Sequence, residues 1–271
     1  MTKEELLDRL WEQYTAITPS AEKIEALLSK NGSLITNDHI ALRTFNDSRV
    51  NIAVLEKPFL EAGYAPCGTY DFASKKLFAK HYEHTLDKQA PRIFISELEL
   101  EKCSAGLQRI VQKILDSCDA ETFKQPDLIL AGRIWEKPSH ALYSILREES
   151  EYAAWMYVFG FRANHFTVNV NDLADFKTLE ALNLFLENEG WKLNLSGGKI
   201  KGSPAQLLEQ SSTLGDVLGI EFKEGRYYIP TCYYEFAKRY PDASGQLFLG
   251  FIASSANKIF ESTDVKLQVA Q

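Results

Sequence analysis

Two histidines and a glutamate carry the strongest chemical signal in this chain. His39 opens the run His39-Ile-Ala-Leu-Arg-Thr-Phe45, and His165 opens a second, His165-Phe-Thr-Val-Asn-Val170. Glu235 stands late in the chain, in Cys232-Tyr-Tyr-Glu-Phe-Ala-Lys-Arg239, with apolar and aromatic neighbours on both sides. Neutral imidazole is a common ligand for Fe, Zn, Ni and Cu. Two imidazoles with one carboxylate leave coordination positions open, an arrangement suited to non-haem Fe(II) oxygenase chemistry. The competing readings are histidines with purely structural roles and an ion pair from Glu235 to Lys238 or Arg239. Arg43 adds to the set. Positions 39, 41 and 43 of a strand face the same way, so Arg43 follows His39 past the small Ala41. A guanidinium there can bind a carboxylate through two charge-assisted hydrogen bonds.

Such residues need elements to hold them, and the sequence supplies a repeated pattern. Thr2 and Glu5 fit a capping box for a first helix, and Ala21 to Lys30 reads as a second, stopped at Asn31-Gly32. The strand from His39 to Phe45 is followed by Asn46-Asp47-Ser48 as the cap of a helix reaching about Ala62. Strands are then expected at Tyr64–Tyr70, Lys76–His84 and Arg92–Leu98. Residues from about 99 to 150 read as mainly helical, with Leu107, Ile110, Val111 and Ile114 forming an apolar stripe. From Asn164 the pattern returns. After the His165 strand, Asn171-Asp172 is expected to cap a helix ending at Glu189-Gly190. Strands follow at Trp191–Leu195, around Ala205–Ser211, at Val217–Lys223, and from Tyr227 to about Lys238.

The two copies align residue by residue. Asp38-His39 matches Asn164-His165, Asn46-Asp47 matches Asn171-Asp172, and the Gly63 that ends the first helix matches Gly190. From histidine to glycine the offset is 24 residues in the first copy and 25 in the second. The expectation is an α+β fold: two βαβββ repeats, about 35–99 and 162–240, in a cupped mixed sheet, with N-terminal and central helices outside. One catalytic domain is expected, with a helical connector at about 100–160 and a C-terminal substrate loop and helix at about 245–262.

Composition narrows the function. Thirty Lys plus Arg against thirty-seven Asp plus Glu give a formal charge of −7 over 271 residues, which argues against a nucleic-acid surface. No apolar run approaches the roughly 20 residues needed to span a bilayer. The N-terminal segment is an amphipathic acidic helix pattern, so a secretory leader is not expected. Cys67, Cys103, Cys118 and Cys232 form no CxxC pair, and reduced thiols in a cytoplasmic protein are the plain reading.

Several short motifs occur in order: Asp38-His39-x-Ala41-x-Arg43-Thr44, Tyr152-x-x-Trp155, Asn164-His165-Phe166, Leu207-Leu208-x-Gln210-Ser211-Ser212, Tyr234-Glu235-x-x-x-Arg239, and Phe251-x-x-Ser254-Ser255-x-x-x-Ile259-Phe260-x-Ser262. Together they resemble the 2-oxoadipate dioxygenase/decarboxylase family, which is related to the vicinal oxygen chelate superfamily. The resemblance runs from about residue 35 to 262. It implies Fe(II) held by His39, His165 and Glu235, a substrate carboxylate on Arg43, and a late loop at Ser254-Ser255 whose main chain helps bind substrate. Gln210 lies in a matching segment and takes a polar role. The implied reaction converts 2-oxoadipate and O₂ to 2-hydroxyglutarate and CO₂ in lysine breakdown. A long insertion that many members carry between the glutamate strand and Ser254 is missing, which loosens the implied substrate more than the implied metal.

Other signals carry less. On the expected strand His81 and His84 face opposite sides, so they do not make a joint site. His140 reads as structural, and Ser196-Gly-Gly-Lys-Ile-Lys-Gly202 lacks phosphate-loop spacing. Cys232 has no sequence-defined base, and no GxSxG elbow is present. Glu97 ends the first repeat much as Glu235 ends the second. As a fourth ligand it would give a closed site closer to a glyoxalase-like isomerase; the resemblance implies three ligands. The rival functions are therefore a glyoxalase-like or hydrolytic enzyme using Zn or Ni, and a metal-free protein that holds an organic acid.

Overall fold

A computed structural model describes residues 1–31 and 34–252. In chain order its helices and strands are α1 (Lys3–Thr15), α2 (Pro19–Leu28), β1 (Asn37–Phe45), α3 (Ile52–Leu55), α4 (Lys57–Glu61), β2 (Tyr64–Phe72), β3 (Leu77–His84), β4 (Arg92–Leu98), α5 (Ala105–Asp116), α6 (His140–Glu149), α7 (Glu151–Phe159), β5 (Ala163–Asn169), α8 (Leu179–Asn188), β6 (Lys201–Ser203), β7 (Leu208–Ser212), β8 (Val217–Phe222), β9 (Gly225–Pro230) and β10 (Glu235–Arg239). The main sheet is mixed and has eight strands in the order β2-β3-β4-β1-β5-β10-β7-β6. The duplication is visible in that order: β2-β3-β4-β1 and β6-β7-β10-β5 place equivalent strands in equivalent positions. No described helix is long and apolar enough to cross a membrane.

The chain divides into two compact units, and β1 contributes to both. The first comprises Met1–Tyr14, Ala41–Asn164 and Val217–Ile229. Its helix α1 starts with the expected capping box, Thr2 N–H donating to Glu5 Oε2 and Glu5 N–H to Thr2 Oγ1. Strands β2, β3 and β4 form an antiparallel meander, with Tyr64 opposite His84 and Leu77 opposite Leu98. Helix α5 buries Leu107, Val111, Ile114 and Leu115 at helical spacing. Ser150 ends α6 and caps α7, its side chain accepting from Ala153 N–H.

The second unit comprises Thr15–Ile40, His165–Asp216 and the chain from Pro230 onward. Strand β10 runs parallel to β5, with Glu235 opposite Thr167, and antiparallel to β7, with Glu235 opposite Ser212. Helix α8 buries Leu179, Leu182 and Leu186, and its buried Asn183 accepts a hydrogen bond from Ser211 Oγ on β7.

Six local expectations need correction. Asn46-Asp47-Ser48 does not start a helix: Asn46 Oδ1 accepts from Leu100 N–H, Asp47 pairs with Arg49, and Asn51 caps α3. The helix expected as far as Ala62 is two short pieces, the second opening near Pro58, which has no N–H to donate. Asn171-Asp172 is not the cap of α8 either. Asn171 brackets the backbone of Arg239, accepting its N–H and donating to its carbonyl, while Thr178 caps the helix. Trp191–Leu195 makes only a one-residue bridge, Leu193 to Thr213. The run around Ala205–Ser211 is interrupted at Leu207, which takes a left-handed backbone (φ 65), so β6 and β7 flank a turn.

The last correction concerns the run from Tyr227 to about Lys238, which splits into β9 and β10. Strands β8 and β9 form a separate two-stranded hairpin in the first unit, so the second repeat returns to its sheet only at β10. That hairpin has its own anchor: Glu224 accepts from His140 N–H and Ser139 Oγ, and the His140 ring stacks on Tyr227 at 3.7 Å. The expected stop at Asn31-Gly32 falls partly outside the described residues. So does most of the C-terminal segment at 245–262, including Ser254 and Ser255.

Candidate metal centre

Three strand positions in the second unit bring His39, His165 and Glu235 together. The parallel register of β10 on β5 sets Glu235 opposite Thr167, two residues along the same face from His165. His165 Nε2 lies 3.2 Å from Glu235 Oε2, and His39 Nε2 lies 3.7 Å from Oε1. One ligand atom from each residue lies within 4.8 Å of the other two, and all three residues are buried. His39 and His165 meet edge to face with ring centroids 5.7 Å apart.

The surroundings fix each ligand's orientation. Asp38 Oδ1 is 2.8 Å from His39 Nδ1. An anionic acceptor there places the ring proton on Nδ1 and leaves Nε2 with its lone pair towards Glu235. Thr167 Oγ1, 3.1 Å from Nε2, can donate to that lone pair. Arg239 grips Asp38 in fork geometry, Nε to Oδ2 at 2.6 Å and Nη2 to Oδ1 at 2.9 Å. Its Nη1 donates to the carbonyls of Phe248 and Gly250, and Phe251 packs edge-on against the His39 ring at 4.9 Å. Burial alone would raise the Asp38 carboxyl. The Arg239 charge and the hydrogen bonds from His39 and Arg239 outweigh it and hold the group well below the usual carboxylate range. His165 is stacked on Tyr233 at 4.7 Å.

Glu235 is in the opposite condition. Burial pushes its carboxyl up to about 8, even though Gln210 Nε2 donates to Oε1 at 2.5 Å. Oε2 is buried and receives no hydrogen bond among the described residues. A carboxylate removed from water with one oxygen unsatisfied is costly, and a cation shared with two imidazoles removes that cost. The donor set therefore fits a divalent metal.

In the first unit, Arg43 presents a second reactive arrangement. Tyr152 and Trp155 of α7 lie under its guanidinium, 4.8 and 5.2 Å from the ring centroids. Glu151 Oε2 is 3.5 Å from Nη1, whereas Nε and Nη2 are buried and receive no acceptor among the described residues. Tyr152 is itself pinned: its hydroxyl accepts from Thr44 N–H and donates to Ser96 O. A buried guanidinium with two donors left over and an aromatic floor has the chemistry to pair with a planar anion.

The three ligands predicted from the sequence thus converge, and Gln210 joins them through Glu235. The ion pair that competed for Glu235 is not formed, because Arg239 is committed to Asp38 and Lys238 lies over the Tyr240 ring. Glu97 accepts from Ile52 N–H in the first unit and is not part of the ligand group. His84 is used in a turn, its Nδ1 accepting from Leu86 and Asp87 N–H. The glycine-rich stretch turns over residues 196–200 and then enters β6, with Gly197, Gly198 and Gly202 at positive φ.

Sequence reasoning missed the roles of Asp38, Arg239, Thr167 and Tyr233. The available signal was the spacing of Glu235 and Arg239, which puts both on one face of a strand and leaves a buried cation needing an anion.

Comparison with known proteins gives a consistent picture. Residues 4–245 match the family model described as 2-oxoadipate dioxygenase/decarboxylase. A rice protein of that name, designated chloroplastic/amyloplastic, is 35% identical over 274 residues, covering 92% of this chain and 75% of its own length. Among solved structures, a Shewanella frigidimarina protein is 48% identical, with TM-score 0.87 and coverage of 92% of this chain and 97% of its own. The rice hydroxyglutarate synthase in complex with 2-oxoadipate is 33% identical, with TM-score 0.89 and coverage of 96% and 91%. A Ralstonia eutropha protein described as one of the glyoxalase superfamily is 20% identical and matches with TM-score 0.75 over 91% of this chain and 84% of its own, a likeness of fold alone.

Proposed function

The chain belongs to the 2-oxoadipate dioxygenase/decarboxylase family, and on that premise we propose that it is an Fe(II)-dependent enzyme converting 2-oxoadipate and O₂ to 2-hydroxyglutarate and CO₂, as in lysine breakdown. The observation that carries this reading is the buried set His39, His165 and Glu235, with a carboxylate oxygen that no hydrogen bond satisfies among the described residues. Two neutral nitrogens and one anionic oxygen on one side of an ion are the donor set of non-haem iron oxygenases. When bound, the ion supplies Lewis acidity and redox chemistry towards the 2-oxo acid and O₂.

The protein's own groups do the rest. Asp38, fixed by Arg239, keeps the His39 proton on Nδ1 so that Nε2 stays available. Gln210 occupies Glu235 Oε1 with a donated hydrogen bond and leaves Oε2 for the metal. Stacking on Tyr233 restricts rotation of the His165 ring. Arg43, four residues after His39 in β1, takes a substrate carboxylate with Nε and Nη2, which are buried and find no acceptor among the described residues. In a chain of net charge −7 a dicarboxylate needs such a local clamp. Tyr152, whose phenol burial holds above its usual range, stays protonated and keeps its bond to Ser96 O beneath the clamp. Ser254 and Ser255 complete the proposal as main-chain contacts to substrate. The four free thiols suit a reducing compartment, the cytoplasm on this reading.

Oxygen uptake decides among the alternatives. Freshly Fe(II)-loaded protein should consume O₂ and release CO₂ when 2-oxoadipate is added, more readily than with other 2-oxo acids. Activity with Zn or Ni and no O₂ uptake would point to glyoxalase-like or hydrolytic chemistry instead, and failure to bind any metal would leave only an organic-acid binder.

A further inference from the structure

A second cluster of metal-binding side chains lies on the β2–β3 hairpin of the first unit, apart from the residues used above. Cys67, His81 and Glu83 offer a thiol, an imidazole and a carboxylate whose ligand atoms lie within 4.8 Å of one another. The backbone explains why they meet. His81 and Glu83 are two apart on β3 and share a face. On β2, Ala65 is opposite Glu83 and Gly68 opposite His81, but the register slips between Pro66 and Gly68. Cys67 is the extra residue of that β-bulge. Two residues on from Ala65, Cys67 keeps the face that carries Glu83 and His81, and the bulge then sets Gly68, without a side chain, opposite His81.

Two further features suit a metal. Tyr70 Oη is 2.9 Å from His81 Nδ1, while Nε2 is 3.3 Å from Glu83 Oε1. With bonds of about 2.0–2.2 Å to Zn(II), a tetrahedral angle sets nitrogen and oxygen ligands about 3.4 Å apart. The observed separation is already close to that. Tyr70 in turn plays the part of an outer partner that orients the ring through its other nitrogen. Gly68 makes this possible, because a Cβ there would sit 2.9 Å from His81 Cε1 and Nδ1. Cys67 is exposed and bonded only weakly, its Sγ 3.4 Å from Ala65 O, so a small side-chain rotation can bring sulfur to the other two ligands.

We propose that Cys67, His81 and Glu83 form a second metal site, selective for a thiophilic divalent cation such as Zn(II), with its fourth position open to water. A sulfur, nitrogen and oxygen donor set suits Zn(II) better than Ca(II) or Mg(II), which prefer oxygen alone. Binding would cross-link the edge strand β2 to β3.

Cobalt distinguishes this site from the first, which contains no sulfur. Reduced, metal-free protein is titrated with Co(II) under nitrogen and then with Zn(II). A thiolate-to-Co(II) charge-transfer band in the near ultraviolet is expected, surviving in Glu235→Gln and lost in Cys67→Ser. Zn(II) should remove the band and slow alkylation of Cys67. Glu83→Gln, at a half-buried position that tolerates the change, should weaken Zn(II) binding by about tenfold or more. No charge-transfer band in the unaltered protein, or a band that persists after Cys67→Ser, would overturn the proposal. Zn(II) affinity that is the same in Glu83→Gln would remove the carboxylate from it.

Discussion

Replacing Glu235 by glutamine should make the metal-free protein more stable at neutral and alkaline pH, although it removes a metal ligand. The reason is the proton that burial keeps on this carboxyl. Its value in the folded, metal-free chain is about 8, against 4.5 for the ordinary side chain. Below about pH 4.5 both folded and unfolded chains carry the proton, and Glu235 has no effect on stability. Between these values the unfolded chain is ionised while the folded one holds its proton. Stability therefore falls as pH rises, by up to about 1.4 kcal/mol per pH unit. Above pH 8 the loss is complete, with a ceiling of about 5 kcal/mol that relaxation and water entry reduce. Glutamine cannot ionise and should abolish this component. Urea denaturation of both chelator-treated proteins from pH 5 to 9 measures the difference, other titrating groups being common to the two. Metal binding displaces the same proton, so apparent Fe(II) affinity of the unaltered protein should climb with pH up to about 8. Parallel stability curves for the two proteins would show that burial does not hold a proton on Glu235.

The neighbouring groups give further expectations. Asp38→Asn strands a buried guanidinium and should cost about 3–5 kcal/mol in urea denaturation. It should also weaken Zn(II) or Fe(II) binding about 10–100-fold by calorimetric titration, through a residue that touches no metal. Arg43→Ala should leave metal content unchanged but raise KM for 2-oxoadipate by roughly 10–100-fold, the loss of a charge-assisted bidentate contact worth about 1.5–3 kcal/mol; steady-state O₂ uptake measures it. Phe236→Ala, beside Glu235 and fully buried, should cost about 3–5 kcal/mol in thermal unfolding, a core effect independent of the metal.

The meeting of His39, His165 and Glu235 was legible because duplication leaves a trace in sequence. His39 and His165 open equivalent strands, and equivalent strands occupy equivalent places in the sheet. Glu235 was legible because a carboxylate between aromatic residues on a strand has no cheap way to be buried. Other features depend on pairings that sequence spacing does not encode. Asp38 sits next to His39, where strand alternation argues against contact, and only the Arg239 fork from β10 aims it at Nδ1. The caps were misplaced for a related reason: Asn46 and Asn171 are good cap residues, but tertiary partners used their side chains first. The hairpin of β8 and β9 interrupts the second repeat because Glu224 and Tyr227 bind the start of α6, a contact between segments about 85 residues apart. The bulge at Cys67 was equally hidden, since a single extra residue shifts the pairing register without disturbing the hydrophobic pattern.

On the proposed function, His39, His165 and Glu235 hold an iron that leaves room for a 2-oxo acid. A crystal structure of protein loaded with Fe(II) and 2-oxoadipate in the absence of O₂ decides it. It should show iron bonded to the two Nε2 atoms and to Glu235, the 2-oxo carboxylate chelating the open side, and a substrate carboxylate on Arg43. Iron elsewhere, or 2-oxoadipate bound away from those three side chains, would contradict the account.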